Sequence, residues 1–99
     1  MSYRVRYTKA AKEDIVRLYG FLVDQDITAA RNALDVIQKG IEFLRDFPFT
    51  CRKATPEDPL LREMIISFGA RGYVVLFEIE DKKTVTILAV RHQREEDYH

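Results

Sequence analysis

Side chains able to move protons or hold anions gather late in this chain. Arg62 stands alone, Arg91-His92-Gln93-Arg94 forms a cluster, and Tyr98 and His99 close the sequence. A histidine exchanges a proton near neutral pH, a phenol can donate one, and an arginine holds an anion through a fixed, forked charge. Together they suit proton transfer beside a bound anion, or charged contact with a partner. Acids stand close by: Glu95, Glu96 and Asp97 crowd the tail, and Glu57 and Asp58 follow the basic pair Arg52-Lys53. No metal is expected, because His92 and His99 with one distant thiol, Cys51, lack ligand spacing. No cofactor is expected either, since no glycine-rich phosphate loop occurs. A single cysteine cannot form an intramolecular disulfide, and Cys51 reads as an ordinary loop thiol.

The frame that must position these residues is small. The chain has 99 residues, 46% of them hydrophobic, which is enough for one core and one domain spanning 1–99. Sixteen basic and sixteen acidic residues cancel, which disfavours affinity built on blanketing a nucleic acid with positive charge. The opening Met1-Ser2-Tyr3-Arg4-Val5-Arg6 has no apolar signal core, and no stretch approaches the roughly 18 apolar residues of a membrane span. A cytoplasmic protein is the expectation.

Tyr3 to Tyr7 alternates and carries strand formers, so it reads as a short first strand. Thr8 can cap a helix whose apolar residues are Ala11, Ile15, Leu18, Tyr19 and Leu22, ending near Asp24. Asp26 or Thr28 caps a second helix with a stripe of Ala30, Leu34, Ile37, Ile41 and Leu44, and Pro48 stops it. The short connection makes the two an antiparallel hairpin. Residues 47–59 contain all three prolines and no period, a long loop that hints at a role or at mobility. Strands follow over Leu60–Phe68, Tyr73–Ile79 and Thr84–His92, joined by turns at Gly69-Ala70-Arg71-Gly72 and Glu80-Asp81-Lys82-Lys83. Residues 93–99 form a polar tail. The expected fold is therefore α+β, ordered β-α-α-β-β-β, with the helical hairpin packed on a small antiparallel sheet. One sheet face must cover the hairpin. The other is too apolar for open solvent, so either a partner, a second copy, or the chain's own tail and loop must cover it.

This order carries local signatures: Ala10-Ala11-Lys12-Glu13-Asp14-Ile15, Ala29-Ala30 followed by Leu44-Arg45-Asp46-Phe47-Pro48, Leu61-Arg62-Glu63 with Tyr73–Ile79, and Val85–Arg94. In this sequence and spacing, over nearly the whole chain, they resemble the RelE/ParE toxins, also called plasmid stabilisation proteins. The resemblance implies the toxin of a bacterial type II toxin–antitoxin pair. Its partner would be a cognate antitoxin whose C-terminal segment covers the toxin's apolar surface. ParE-like members poison DNA gyrase, whereas RelE-like members cut messenger RNA on the ribosome. A shared fold cannot choose between them.

RNA cleavage through the 2′-hydroxyl needs a proton acceptor, positive charge on the phosphorane and a proton for the leaving oxygen. For an endonuclease the resemblance points to Arg62, His92 and Arg94 as catalytic. For a ParE-like toxin, Arg62, Arg91, His92, Arg94 and Tyr98 are the residues expected to contact the target. The His92-Gln93-Arg94 ending, the acids after it and the zero net charge favour the ParE-like branch, with mRNA cleavage as the alternative.

Overall fold

The computed structural model describes residues 2–93, so Arg94, Tyr98, His99 and most of the polar tail lie outside the described residues. Strand β1 (Arg4–Tyr7) leads into helix α1 (Lys9–Val23) and helix α2 (Ile27–Phe43). A short 3-10 turn (Pro48–Thr50) and a two-residue strand β2 (Arg52–Lys53) precede β3 (Leu61–Phe68), β4 (Arg71–Ile79) and β5 (Thr84–His92). The architecture is the expected one, a helical hairpin on one face of a sheet.

The sheet differs from expectation in two respects. It has five strands in the order β1-β5-β4-β3-β2, and β1 lies parallel to β5, so it is mixed rather than purely antiparallel. β1 takes the outer edge of β5, whose other side is occupied by β4. β2 escapes sequence reading because two charged residues carry no alternation. It covers only Arg62 and Glu63 of the eight-residue β3.

The hairpin between β3 and β4 is tighter than its glycines suggest. Phe68 pairs with Arg71, leaving only Gly69-Ala70 as the loop. Gly69 has φ +62, the left-handed value that twist-matched two-residue turns require and glycine adopts without steric cost. Asp81 shapes the next turn by accepting the Lys83 N–H at 2.7 Å, and that bond holds its carboxyl below the usual range.

Both helices form as their caps and stripes dictate. The Thr8 hydroxyl accepts the Ala11 N–H at 3.1 Å, and Asp26, rather than Thr28, caps α2 through the Thr28 and Ala29 N–H groups. The α2 stripe buries Ala30, Ala33, Ile37 and Ile41, with Leu44 just beyond, while Leu34 is only half-buried. Gly40 lets α2 lie close on β3, since a Cβ there would come within 2.7 Å of the Ile66 side chain. These side chains meet Val75, Phe77, Ile79, Val85, Ile87 and Val90 from the inner sheet face.

A bulge in β5 fixes how α1 attaches. Leu76 opposes Ala89 and Phe77 opposes Ile87, so Leu88 is an extra residue without a partner on β4. On its other side β5 has outrun β1, which ends opposite Ile87. The backbone groups exposed there are taken up by the start of α1. The Thr8 N–H and hydroxyl donate to the Ile87 carbonyl, and the hydroxyl also lies 3.2 Å from the Leu88 carbonyl. The carboxylate of Asp14, 5% exposed, accepts the Val90 N–H at 2.9 Å.

Replacing Asp14 with alanine leaves a buried N–H without an acceptor and should cost about 1–3 kcal/mol, whereas Asp14→Asn keeps an oxygen and should recover part of it. Ile37→Ala should cost about 2–5 kcal/mol by opening a cavity, more than the half-buried Leu34→Ala. Lys39→Ala, which removes only an exposed pair with Asp35, should stay within about 0.5 kcal/mol. Chemical denaturation of the five variants beside the parent checks the order.

Candidate binding surface

Strand register decides which of the sequence's candidates can act together. Arg62 lies opposite Phe77 and His92 opposite Tyr73, both on the inner face but separated by the stretch of β4 between Phe77 and Tyr73. At about 3.4 Å per residue that is a separation of about 14 Å along the strands, with β4 lying between the two. Arg91, next to His92, alternates to the outer face opposite Val74. The strands therefore send Arg62, Arg91 and His92 to three different places, while Arg94 and Tyr98 lie outside the described residues.

Arg62 is engaged within the chain. Its Nε donates to the Pro59 carbonyl at 2.7 Å, and one terminal nitrogen donates to the carbonyls of Cys51 at 2.8 Å and Phe49 at 3.3 Å. The guanidinium carbon also lies 5.3 Å from the centre of the Phe49 ring. One side chain thus ties both ends of the segment that looked like a long loop to β3. Arg52 pairs with Glu63 alongside it at 3.0 Å. Cys51 sits half-buried under this clamp. Burial pushes its thiol up, against the smaller lowering effects of a hydrogen bond from Thr50 and the charge of Arg62.

His92 stands at the other end of the sheet, its ring edge-on to Tyr73 with centroids 5.6 Å apart. Burial pushes the Tyr73 phenol up. Beside them opens a cleft of about 720 Å³ between the C-terminal half of α1 and the β3–β4 hairpin. Leu18, Phe21, Leu22, Phe68 and Tyr73 form its apolar wall, and Arg17, Arg71 and His92 are its basic members. The Arg17 guanidinium lies 3.8 Å from Asp14, which joins the cleft to the bulge.

The outer sheet face exposes less apolar surface than its sequence suggests. Val74 and Ala89 are buried, Leu76 and Leu88 half-buried, and Ile65 is the residue left open. Large apolar side chains are instead exposed along α1 at Val16 and Phe21, at Ile27, and around the end of α2 at Phe43, Phe47, Phe49 and Leu60. Arg17, Phe21 and Arg71 were not among the sequence's candidates. The available signal was that Val16 and Phe21 are apolar yet lie off the stripe that α1 needs for its own core. No group of residues able to hold a metal occurs among the described residues, and none of their helices is long and apolar enough to cross a membrane.

The family model for the ParE toxin of type II toxin–antitoxin systems, parDE, matches residues 5–97. The chain belongs to this family. Among curated relatives it is 31% identical over 85 residues to Toxin RelE3 of Caulobacter vibrioides, covering 86% of this chain and 88% of that protein. Solved structures agree on the fold. The chromosomal ParDE system of P. aeruginosa superposes with a TM-score of 0.72 at 17% identity, covering 92% of this chain and 96% of that one. The toxin–antitoxin complex RelBE2 of Mycobacterium tuberculosis gives 0.61 at 23% identity, covering 94% and 100% respectively. A mutant of the E. coli toxin RelE in the free state gives 0.60 at 15%, covering 91% and 82%. This ParE-family chain is thus a toxin-type protein of a type II system, built on a fold shared by ParE and RelE toxins.

The Arg62 clamp generates a test on the thiol beneath it. Alkylation of Cys51 should reach its half-maximal rate at a higher pH than a free cysteine, and Arg62→Gln should move it higher still by removing a nearby positive charge. A raised thiol value in the folded protein also contributes stability that is full below the unfolded thiol's range and is lost as pH rises through the folded value. Rate against pH for parent and variant checks both the direction and the coupling.

Proposed function

We propose that this ParE-family toxin acts by binding and poisoning DNA gyrase, and that a cognate antitoxin holds it inactive in the cytoplasm. The observation that carries this reading is the dispersal of the candidate residues along the sheet. General acid–base cleavage needs its groups gathered around one phosphate, within hydrogen-bond reach of it. Arg62 and His92 stand about 14 Å apart along β4 and on opposite sides of it, and Arg62 already donates to three carbonyls of its own chain. Recognition of a protein target makes no such demand for convergence. The zero net charge agrees, since strong hold on a phosphate backbone draws on an excess of basic residues.

In this reading the end of β5 presents the target contacts: Arg91 and His92 on the strand, with Arg94 and Tyr98 following in sequence. Arg62 acts at a distance by holding the segment from Phe49 to Pro59 in place. The exposed apolar surface is what the antitoxin covers, because patches of this kind on a small domain mark interaction sites. RNA cleavage is the second reading, favoured by the likeness to a relative named Toxin RelE3.

Purified gyrase and a translation-coupled mRNA assay separate the two. The toxin should abolish supercoiling and leave broken DNA, while messenger RNA stays intact. Gyrase working normally in the presence of the toxin, with mRNA cut and the cutting lost in Arg62→Ala and His92→Ala, would overturn the proposal.

A further inference from the structure

We infer that the free edge of β3, from Met64 to Phe68, pairs with the same edge of a second copy of this chain, antiparallel about a two-fold axis at Ile66. The inference is independent of the target reading above.

The backbone decides which groups are available. The Leu60 carbonyl accepts the Ile79 N–H of β4, and the Leu61 carbonyl accepts the Ala54 N–H just beyond β2. Backbone groups alternate sides along an antiparallel strand. Arg62, Met64, Ile66 and Phe68 therefore turn theirs to β4, while Glu63, Ile65 and Ser67 turn theirs outward. β2 meets Glu63 and goes no further. Among the described residues no strand lies beside Ile65 and Ser67, so two N–H groups and two carbonyls face outward there.

Such an edge is a template for another strand unless something blunts it. The opposite edge of the sheet is blunted, for β1 has only four residues and both Arg4 and Arg6 are exposed on it. The free stretch of β3, Met64-Ile65-Ile66-Ser67-Phe68, has no charge and no proline. Ile65 is 43% exposed within it, the apolar residue that the outer sheet face leaves open.

Register selects a second copy as the occupant. With Ile66 on the axis, Ile65 stands opposite Ser67 of the other copy, and Ser67 opposite its Ile65. These are the residues whose backbone groups turn outward, so every donor meets an acceptor. Met64 stands opposite Phe68, and there the pairing ends on both sides. Beyond Met64 the edge is taken by β2, and beyond Phe68 the chain turns back into β4 at Gly69, whose φ is +62. The free stretch thus has the length that the symmetric pairing uses. The two Ile65 side chains become diagonal neighbours on the outer face, close enough to cover each other. Because the stretch is uncharged, the axis brings no like charges together.

The probe is the purified full-length chain alone, its mass followed against concentration by sedimentation and its amide exchange by nuclear magnetic resonance. The parent should pass from monomer to dimer as concentration rises. The Ile65 and Ser67 amides should gain protection in step, with those of β1 unchanged. Ser67→Pro deletes one outward N–H at an edge position where proline is tolerated, and should weaken the dimer about tenfold or more. Ser67→Ala keeps that N–H and should leave the dimer as it was. Ile65→Lys places a charge on the edge and should also weaken the dimer, which decides the matter should Ser67→Pro misfold. A parent that stays monomeric up to about 0.1 mM overturns the inference, even if another protein's extended segment then protects the same amides. So does a dimer that Ile65→Lys and a folded Ser67→Pro leave intact, since its contact lies elsewhere.

Discussion

The attachment of α1 to a bulged strand is the constraint on which this molecule turns. β5 continues past the end of β1, and Leu88 breaks its register with β4, so Ile87, Leu88 and Val90 present backbone groups that no strand can pair. A buried N–H or carbonyl without a partner costs as much as a lost hydrogen bond. Thr8 and Asp14 remove that cost. Because the same threonine is the N-cap of α1, the helix start and the sheet edge are positioned by one side chain. The direction of α1 across the sheet follows, and with it the placement of Leu18, Phe21 and Leu22 against the β3–β4 hairpin.

The two ends of the sheet then take on different work. At one end Arg62 ties a proline-containing segment down through three carbonyls, an arrangement that suits the rigid, forked donor geometry of arginine and that lysine could not reproduce. At the other end, Tyr73 and His92 border an apolar cleft with basic members. One end is closed on itself and the other is open to a partner. That division has a sequence basis: the closed end is rich in proline and short-range turns, and the open end is a two-residue hairpin with no chain to spare.

Much of the fold was legible because it rests on local chemistry. The caps at Thr8 and Asp26, the stripes of both helices, and the limits of β5 follow from residue types at short spacing. What escaped depends on contacts between distant residues. Nothing near Tyr7 announces that its strand will run parallel to β5, and Arg52-Lys53 has too little pattern to declare a strand. Membership of the RelE/ParE group was equally legible, being carried by motifs spread over the chain. The candidate site was less so. Type and position drew attention to Arg62, but not that its charge would face carbonyls. Val16 and Phe21 were visible as apolar residues off the stripe, and only the folded arrangement sets Phe21 beside Phe68 and Tyr73.

The bonds from Thr8 and Asp14 to β5 span 79 and 76 residues of chain. Contacts of such separation delay folding, because loop closure must come before they can form. During synthesis, which proceeds from the N-terminus, α1 emerges long before the strand that anchors it. The first strand and helix must wait as a tethered, unanchored element until β5 has been made. The assembled domain is then bound to the synthesis of β5. A prematurely terminated copy lacking β5 has no anchor for α1, no neighbour for β1 and no His92 beside the cleft, so it cannot assemble the domain.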